Sequence, residues 1–154
     1  MTPLLRFDEQ VAIVTGAGGG LGRSHAEALA ARGAAVLVND IGAARDGSER
    51  DASRAQEVVD TIIATGGSAS ANTDSVATPD GAASLVAQVL DAYGRLDVVI
   101  NNAGVTGAGA FSEPDVWERL VRTHLCGTVN VLRAAWPHFL ERNYVWGVKT
   151  RSRR

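Results

Sequence analysis

Val11-Ala-Ile-Val-Thr-Gly-Ala-Gly-Gly-Gly-Leu-Gly22 is the stretch on which the fold of this chain turns. A short β-branched run enters a cluster of glycines, and an alanine-rich helical pattern follows. The physical reading is a strand, a turn stripped of side chains, and a helix whose first N–H groups are free. Those N–H groups and the positive end of the helix dipole form an anion site, and glycine lets a pyrophosphate approach the backbone. A glycine cluster carries little weight alone, so the rest of the chain must support it.

Working outward, strand and helix patterns alternate. Leu21 to Arg32 reads as a helix closed by Gly33. Ala35-Val-Leu-Val-Asn39 is a short apolar strand ending at Asp40, and residues 42–54 read as an exposed loop entering a second helix. Ala55, Val58, Val59, Ile62 and Ile63 recur there at helical spacing. Gly66-Gly67 ends that helix, and Ser68 to Asn72 is assigned as a third strand by its place in the alternation. Thr78-Pro79-Asp80 is a helix start with a cap, a proline at the first position and an acid in the first turn. Leu85, Val86, Val89, Leu90 and Tyr93 form its apolar stripe, and Gly94 closes it. Leu96 to Ile100 is the fourth strand, running into Asn101-Asn-Ala-Gly104. Ser112-Glu-Pro-Asp115 resembles a capping box. The helical pattern from Pro114 carries Val116, Trp117, Leu120, Val121, Leu125, Val129, Leu132 and Trp136, with Pro137 expected to bend or end it.

Strands separated by helices imply right-handed βαβ units and a parallel sheet, and near-continuous apolar strands fit a sheet covered on both faces. The fold class is therefore α/β, a doubly wound parallel sheet of the Rossmann type, incomplete at four strands in the order 3-2-1-4, with helices on both faces. That order puts the opening glycines opposite the 101–104 loop at the switch point, where such folds bind ligands.

The composition sets bounds. The chain has 154 residues, 45% of them hydrophobic and 21% charged, which suits one soluble domain with a real core. A net charge of −2 gives no reason to expect nucleic acid or an anionic membrane. No apolar run approaches the about 18 residues of a membrane span. Cys126 is the only cysteine, so no disulfide framework or metal cluster is expected, and a reduced, cytoplasmic setting is the default. Residues 142–154 hold five of the 15 basic residues and no acid, so the chain ends in a segment unlike its body.

Thr15-Gly16-Ala-Gly-Gly-Gly20-Leu21-Gly22 has the spacing T-G-x-x-x-G-x-G. Gly16 makes the turn, Gly20 admits the pyrophosphate, and Gly22 lets the helix pack against the strand. Asp40 ends the second strand, 18 residues past Gly22. Its carboxylate can accept hydrogen bonds from both hydroxyls of an adenosine ribose and repels a 2′-phosphate, which favours NAD over NADP. Arg23 and Arg45 stand as cations able to offset that repulsion. Asp74, followed by Ser75, can take a hydrogen bond from the adenine amino group or serve as a plain turn residue. Asn102, Ala103 and Gly104 leave room beside a nucleotide.

With these motifs in this order, residues 8–143 resemble the N-terminal part of a short-chain dehydrogenase/reductase. Val38-Asn-Asp-Ile-Gly42, Asn72-Thr-Asp-Ser-Val76, Thr123-His-Leu125 and Arg133-Ala-Ala-Trp136 are most similar to the 3-hydroxyacyl-CoA dehydrogenase branch of multifunctional β-oxidation enzymes. The resemblance implies hydride transfer between a nicotinamide and an alcohol or ketone carbon. It also implies a tyrosine acid/base, a lysine four residues later and a serine that polarises the carbonyl. A tyrosine of pKa about 10 needs a nearby cation to ionise near neutrality. His124 stands where the family has an asparagine; it is read either as a similar hydrogen-bonding group or as a buried structural histidine.

The tyrosine–lysine pair is absent. Lys149 is the only lysine, Val145 precedes it by four, and Tyr144 is out of register. Residues 1–143 are therefore expected to form a partial NAD-binding domain, with 144–154 an aberrant basic tail. The sequence reads as a truncated, cofactor-binding form of an oxidoreductase, shortened by a shifted frame, and a native basic tail is the other reading. A non-catalytic nucleotide-binding partner subunit and a non-functional fragment are the alternatives. Self-association is expected through the helix over 114–140.

Overall fold

The computed structural model describes residues 5–43, 51, 53–106 and 113–141. The segments 42–54 and 105–113 are thus covered in part, and Arg45, Ser112 and the expected tail 144–154, with Tyr144 and Lys149, lie outside the described residues. The elements run β1 (Val11–Thr15), α1 (Gly20–Ala30), β2 (Ala35–Asn39), α2 (Ser53–Ala64), β3 (Ser68–Asn72), α3 (Pro79–Tyr93), β4 (Val98–Ile100), α4 (Pro114–Leu120), a π-helical segment (Val121–Cys126) and α5 (Gly127–Glu141). The strands are all parallel, in the order β3-β2-β1-β4. This is the doubly wound architecture the sequence implies.

The period-2 alternation of the strands sorts their side chains between two cores. Ala12 and Val14 of β1 and Val36 and Val38 of β2 pack with Ala26 and Leu29 of α1 and Val58 and Ile62 of α2. Val11, Ile13 and Leu37 point the other way, onto Leu85 and Val89 of α3 and Val131, Ala135 and Phe139 of α5. Each buried Val, Leu, Ile or Phe side chain contributes roughly 1.5–3 kcal/mol, so this two-faced burial is what holds the sheet centre.

Helix ends follow the expected chemistry. The Thr78 hydroxyl accepts from the Gly81 N–H at 3.2 Å, Pro79 opens α3, and Gly94 closes it at φ +70°. Gly33 takes φ +98° just past α1, a conformation that a side chain disfavours. At α4 the residue in the cap position is Glu113, which makes no side-chain cap bond.

Three expectations are corrected. β4 starts at Val98, two residues later than the apolar run suggests. Asp97 is drawn out of the strand: its carboxylate accepts from the Val11 N–H at 2.9 Å and pairs with Arg95 at 2.7 Å. Pro137 does not end its helix, which continues to Glu141. Proline removes one intrahelical bond, and Phe139, 2% exposed, keeps the last turn packed on the core. Finally, the core-facing stripe of α5 is Gly127, Val131, Ala135 and Phe139. Trp117, Leu125, Val129 and Trp136 of the expected pattern are exposed. No helix among the described residues is long and apolar enough to cross a membrane.

Candidate functional site

The C-terminal ends of β1 and β4 are locked together through Thr15. Its buried hydroxyl accepts from the Asn102 and Ala103 N–H groups, both at 3.0 Å. The same hydroxyl donates to the Ile100 carbonyl at 3.4 Å. The Asn102 amide returns the connection, donating to the Thr15 and Gly16 carbonyls at 3.0 Å each. A buried threonine with its hydrogen-bonding capacity filled rigidifies what it joins. The two loops that must face each other across a ligand are therefore fixed in register.

The glycines divide the work as their spacing implies. Gly16 turns the chain at φ +61°, and a Cβ there would stand 2.8 Å from the Ala103 Cα. A Cβ at Gly22 would strike the Gly16 carbonyl and come 2.5 Å from the Asn102 amide nitrogen, so α1 reaches the strand ends only as glycine. Gly20 differs from both: at φ +55° nothing lies within 4 Å of the Cβ position, and its free side is part of a cavity wall. That bare backbone at the start of α1 fits an approaching pyrophosphate.

Asp40 closes the other side. One carboxylate oxygen accepts from the Gly18 N–H at 2.8 Å and the other from the Gly42 N–H at 2.7 Å. These bonds hold the carboxylate against the glycine turn, and each oxygen keeps acceptor capacity for a hydroxyl. Beneath it, Asn39 donates to the Asn72 amide oxygen at 2.7 Å and to the Asp74 carbonyl at 2.9 Å. The register of β2 and β3 sets Asn39 opposite Asn72.

A cavity of about 400 Å³ lies over these elements. Of the residues expected at the site, Gly16, Gly20, Leu21, Asp40, Ser75, Asn102, Ala103 and Gly104 line it. Thr15 and Gly22 stand behind the wall, shaping it. Asp74 is not brought to it: its carboxylate accepts from the Asn72 amide at 2.9 Å, and its N–H donates back to Asn72 at 2.9 Å. His124 is exposed, which removes the reading as a buried histidine. Its Nε2 lies 2.8 Å from the Val105 carbonyl and 3.1 Å from the Val105 nitrogen, donating to one or accepting from the other according to tautomer. A Cβ at Gly104 would stand 2.6 Å from the imidazole Cε1, so the ring is seated on a glycine. Thr123, beside it, lines the cavity instead.

The sequence reading missed Ile41, Ala43, Arg54, Val76 and Thr123, all of which line the cavity. Ile41 follows Asp40 directly and could have been found by position. Arg54 carried no motif, and only the fold brings it there.

Comparison with known proteins agrees with this geometry. The family model for short chain dehydrogenase matches residues 10–148. A short-chain type dehydrogenase/reductase of Mycobacterium tuberculosis is 49% identical over 138 residues, covering 88% of this chain and 48% of the relative. Peroxisomal multifunctional enzyme type 2 of Mus musculus is 47% identical over 146 residues, covering 94% of this chain and 20% of that protein. Among solved structures, a short chain dehydrogenase from Mycobacterium avium superposes with a TM-score of 0.79 at 43% identity, over 88% of this chain and 48% of that one. A 7α-hydroxysteroid dehydrogenase complexed with NADH and a 7-oxo bile acid superposes at 0.80 with 29% identity, over 89% of this chain and 51% of that one. This chain thus spans about half the length of the first of these relatives and of both structures, and a fifth of the multifunctional enzyme.

Proposed function

This chain belongs to the short-chain dehydrogenase family, and from that premise we propose that it binds NAD as the cofactor-holding part of an oxidoreductase. The reaction would move a hydride between the nicotinamide and an alcohol or ketone carbon, and 3-hydroxyacyl-CoA is the substrate class that the likeness to the multifunctional enzymes suggests. The observation that carries the reading is the single cavity shared by Gly20, Asp40 and Asn102–Gly104, with Thr15 fixing its two walls.

The residues fit the group. Gly20 and the start of α1 suit the pyrophosphate, and Asp40 suits the ribose hydroxyls, a choice that favours NAD over NADP by repelling a 2′-phosphate. When bound, NAD supplies the hydride acceptor. The chain's own part is to hold the adenosine half, to keep the β1 and β4 ends in register, and to seat His124 beside Gly104. The 154 residues contain no Tyr-x-x-x-Lys, so turnover by this chain alone is proposed to be negligible.

Titration calorimetry with NAD tests the reading. The wild-type chain should bind NAD, and Asp40→Ala should weaken it by about tenfold, equivalent to about 1.4 kcal/mol. A folded chain that takes up no NAD, or an Asp40→Ala variant that binds it unchanged, would overturn the proposal. Robust oxidation of a 3-hydroxyacyl-CoA or a simple secondary alcohol would contradict the statement about turnover.

A further inference from the structure

Gln88 lies on α3, half-buried and outside the cavity. Its side-chain amide is held at both ends. Nε2 donates to the Ala71 carbonyl at 2.9 Å, and Oε1 accepts from Asn72 Nδ2 at 2.8 Å. Asn72, 6% exposed at the end of β3, has its whole hydrogen-bonding capacity filled. Its Nδ2 also donates to the Asp74 carboxylate, and its Oδ1 accepts from Asn39 Nδ2 at 2.7 Å and from the Asp74 N–H at 2.9 Å. Asn39, buried at the end of β2, gives its other N–H to the Asp74 carbonyl.

The order of donors and acceptors along these three amides follows from one backbone group. A carbonyl only accepts, so the Ala71 carbonyl takes the NH2 of Gln88 and turns its Oε1 to Asn72. That oxygen admits only the NH2 of Asn72, which turns Oδ1 to Asn39, and Asn39 must then donate. Asn39 lines the cavity, as do Ser75, Val76 and Ala77, which follow directly on Asp74. The bonded line thus runs from α3, outside the site, to its wall.

We propose that Gln88 is a positioning residue for the cavity: by orienting the Asn72 amide it sets Asn39 and the turn through Asp74 that carries the Ser75–Ala77 wall, without meeting a ligand itself. The proposal rests on the reading of the cavity as a dinucleotide site. One neutral hydrogen bond contributes little net, but a buried amide left half-satisfied costs more, and in a network that loss passes to the next member. The two ends of Gln88 serve different purposes. The end toward Ala71 ties α3 to β3 and supports stability, whereas the end toward Asn72 sets the wall and supports affinity.

The test uses the full chain as wild type, Gln88→Met and Gln88→Glu, with calorimetric titration of NAD and chemical denaturation of each. Gln88→Met keeps the length of the side chain and loses both bonds. Gln88→Glu keeps an acceptor for Asn72 Nδ2 and has no donor for the Ala71 carbonyl. Both variants should unfold at lower denaturant than wild type. Only Gln88→Met should weaken NAD, by about fivefold, with Gln88→Glu staying within about twofold of wild type. In the ligand-free chain the Asp74 amide hydrogen should exchange about tenfold faster in Gln88→Met and within about threefold of wild type in Gln88→Glu. Equal loss of affinity in the two variants, wild-type affinity in Gln88→Met, or Asp74 exchange unmoved by Gln88→Met would each overturn the role of Gln88 and leave the cofactor reading intact. A folded wild-type chain that takes up no NAD would overturn both.

Discussion

The two sides of this sheet are built to different standards. Around β1 and β2 every side chain from Val11 to Thr15 is buried, and Asn39 at the end of β2 is bonded to Asn72 and to the Asp74 carbonyl beside it. Around β4 the strand is three residues long, all of them only half-buried, and it pairs with β1 on one side alone among the described residues. The helices beyond it carry exposed apolar side chains: Trp117 is 51% exposed and Leu125 63%. A parallel strand ordinarily has both faces covered, and an open edge invites pairing. The nucleotide cradle, including the loop that leaves β4, is bonded internally, whereas the helices beyond β4 carry apolar surface that another surface can still cover. Binding and association should accordingly be separable by mutation.

The largest effect expected on the β4 side is on stability. Phe139→Ala empties a site in the core that α5 shares with α3 and should cost about 3–5 kcal/mol in chemical denaturation. NAD affinity of the remaining folded protein should stay within about threefold of wild type, read by titration below the unfolding transition. If affinity collapses with stability, the two sides are not separable and the comparison fails. On the cradle side the reverse should hold. Gly22→Val drives a side chain into the Gly16 carbonyl and the Asn102 amide, and should weaken NAD by about 100-fold or more, equivalent to about 2.8 kcal/mol. An NAD affinity like that of wild type would show that α1 need not meet the strand ends.

A smaller change sharpens the other half of the contrast. We propose that the face of α5 bearing Val129, Leu132 and Trp136 is where two copies of the chain associate. Trp136→Glu, 38% exposed in the wild type, should then alter stability by no more than about 0.5 kcal/mol while raising the monomer fraction in analytical ultracentrifugation. An unchanged sedimentation profile would remove that surface from the account. The smallest effect is electrostatic. Ser53 donates to Asp51 from both its hydroxyl and its N–H, at 2.6 Å and 3.0 Å, and these bonds hold the Asp51 carboxyl below its ordinary pKa. A depressed folded-state pKa contributes stability above the unfolded value of about 3.9, lost as pH falls through the folded one. Asp51→Ala should therefore lower Tm slightly at neutral pH and flatten the acid limb of the Tm profile. An acid limb identical to that of wild type would show that Asp51 adds nothing to the start of α2.

The sheet order was legible because most elements carried their own signal: the β-branched runs, the Thr78-Pro79 start of α3 and the glycines that close the helices. Ser68–Asn72, apolar only in part, was recoverable from alternation alone. The phase of the last helix was not legible. The stripe from Trp117 through Leu125 and Val129 to Trp136 is exposed on both sides of the π-helical segment, so its spacing announced a helix without saying which face meets the core. The glycines and Asp40 could be read because their roles depend on the local backbone. Arg54 could not, because only the fold carries it across Gly18.

On the proposed reading, NAD is held by the cradle and by nothing on the α5 side. Backbone amide hydrogen exchange of the chain with and without saturating NAD tests it most directly. Protection should rise at residues 15–21, 40–42 and 102–104 and stay unchanged at 127–141. Protection confined to 127–141, or absent from 15–21 when NAD is bound, would contradict it.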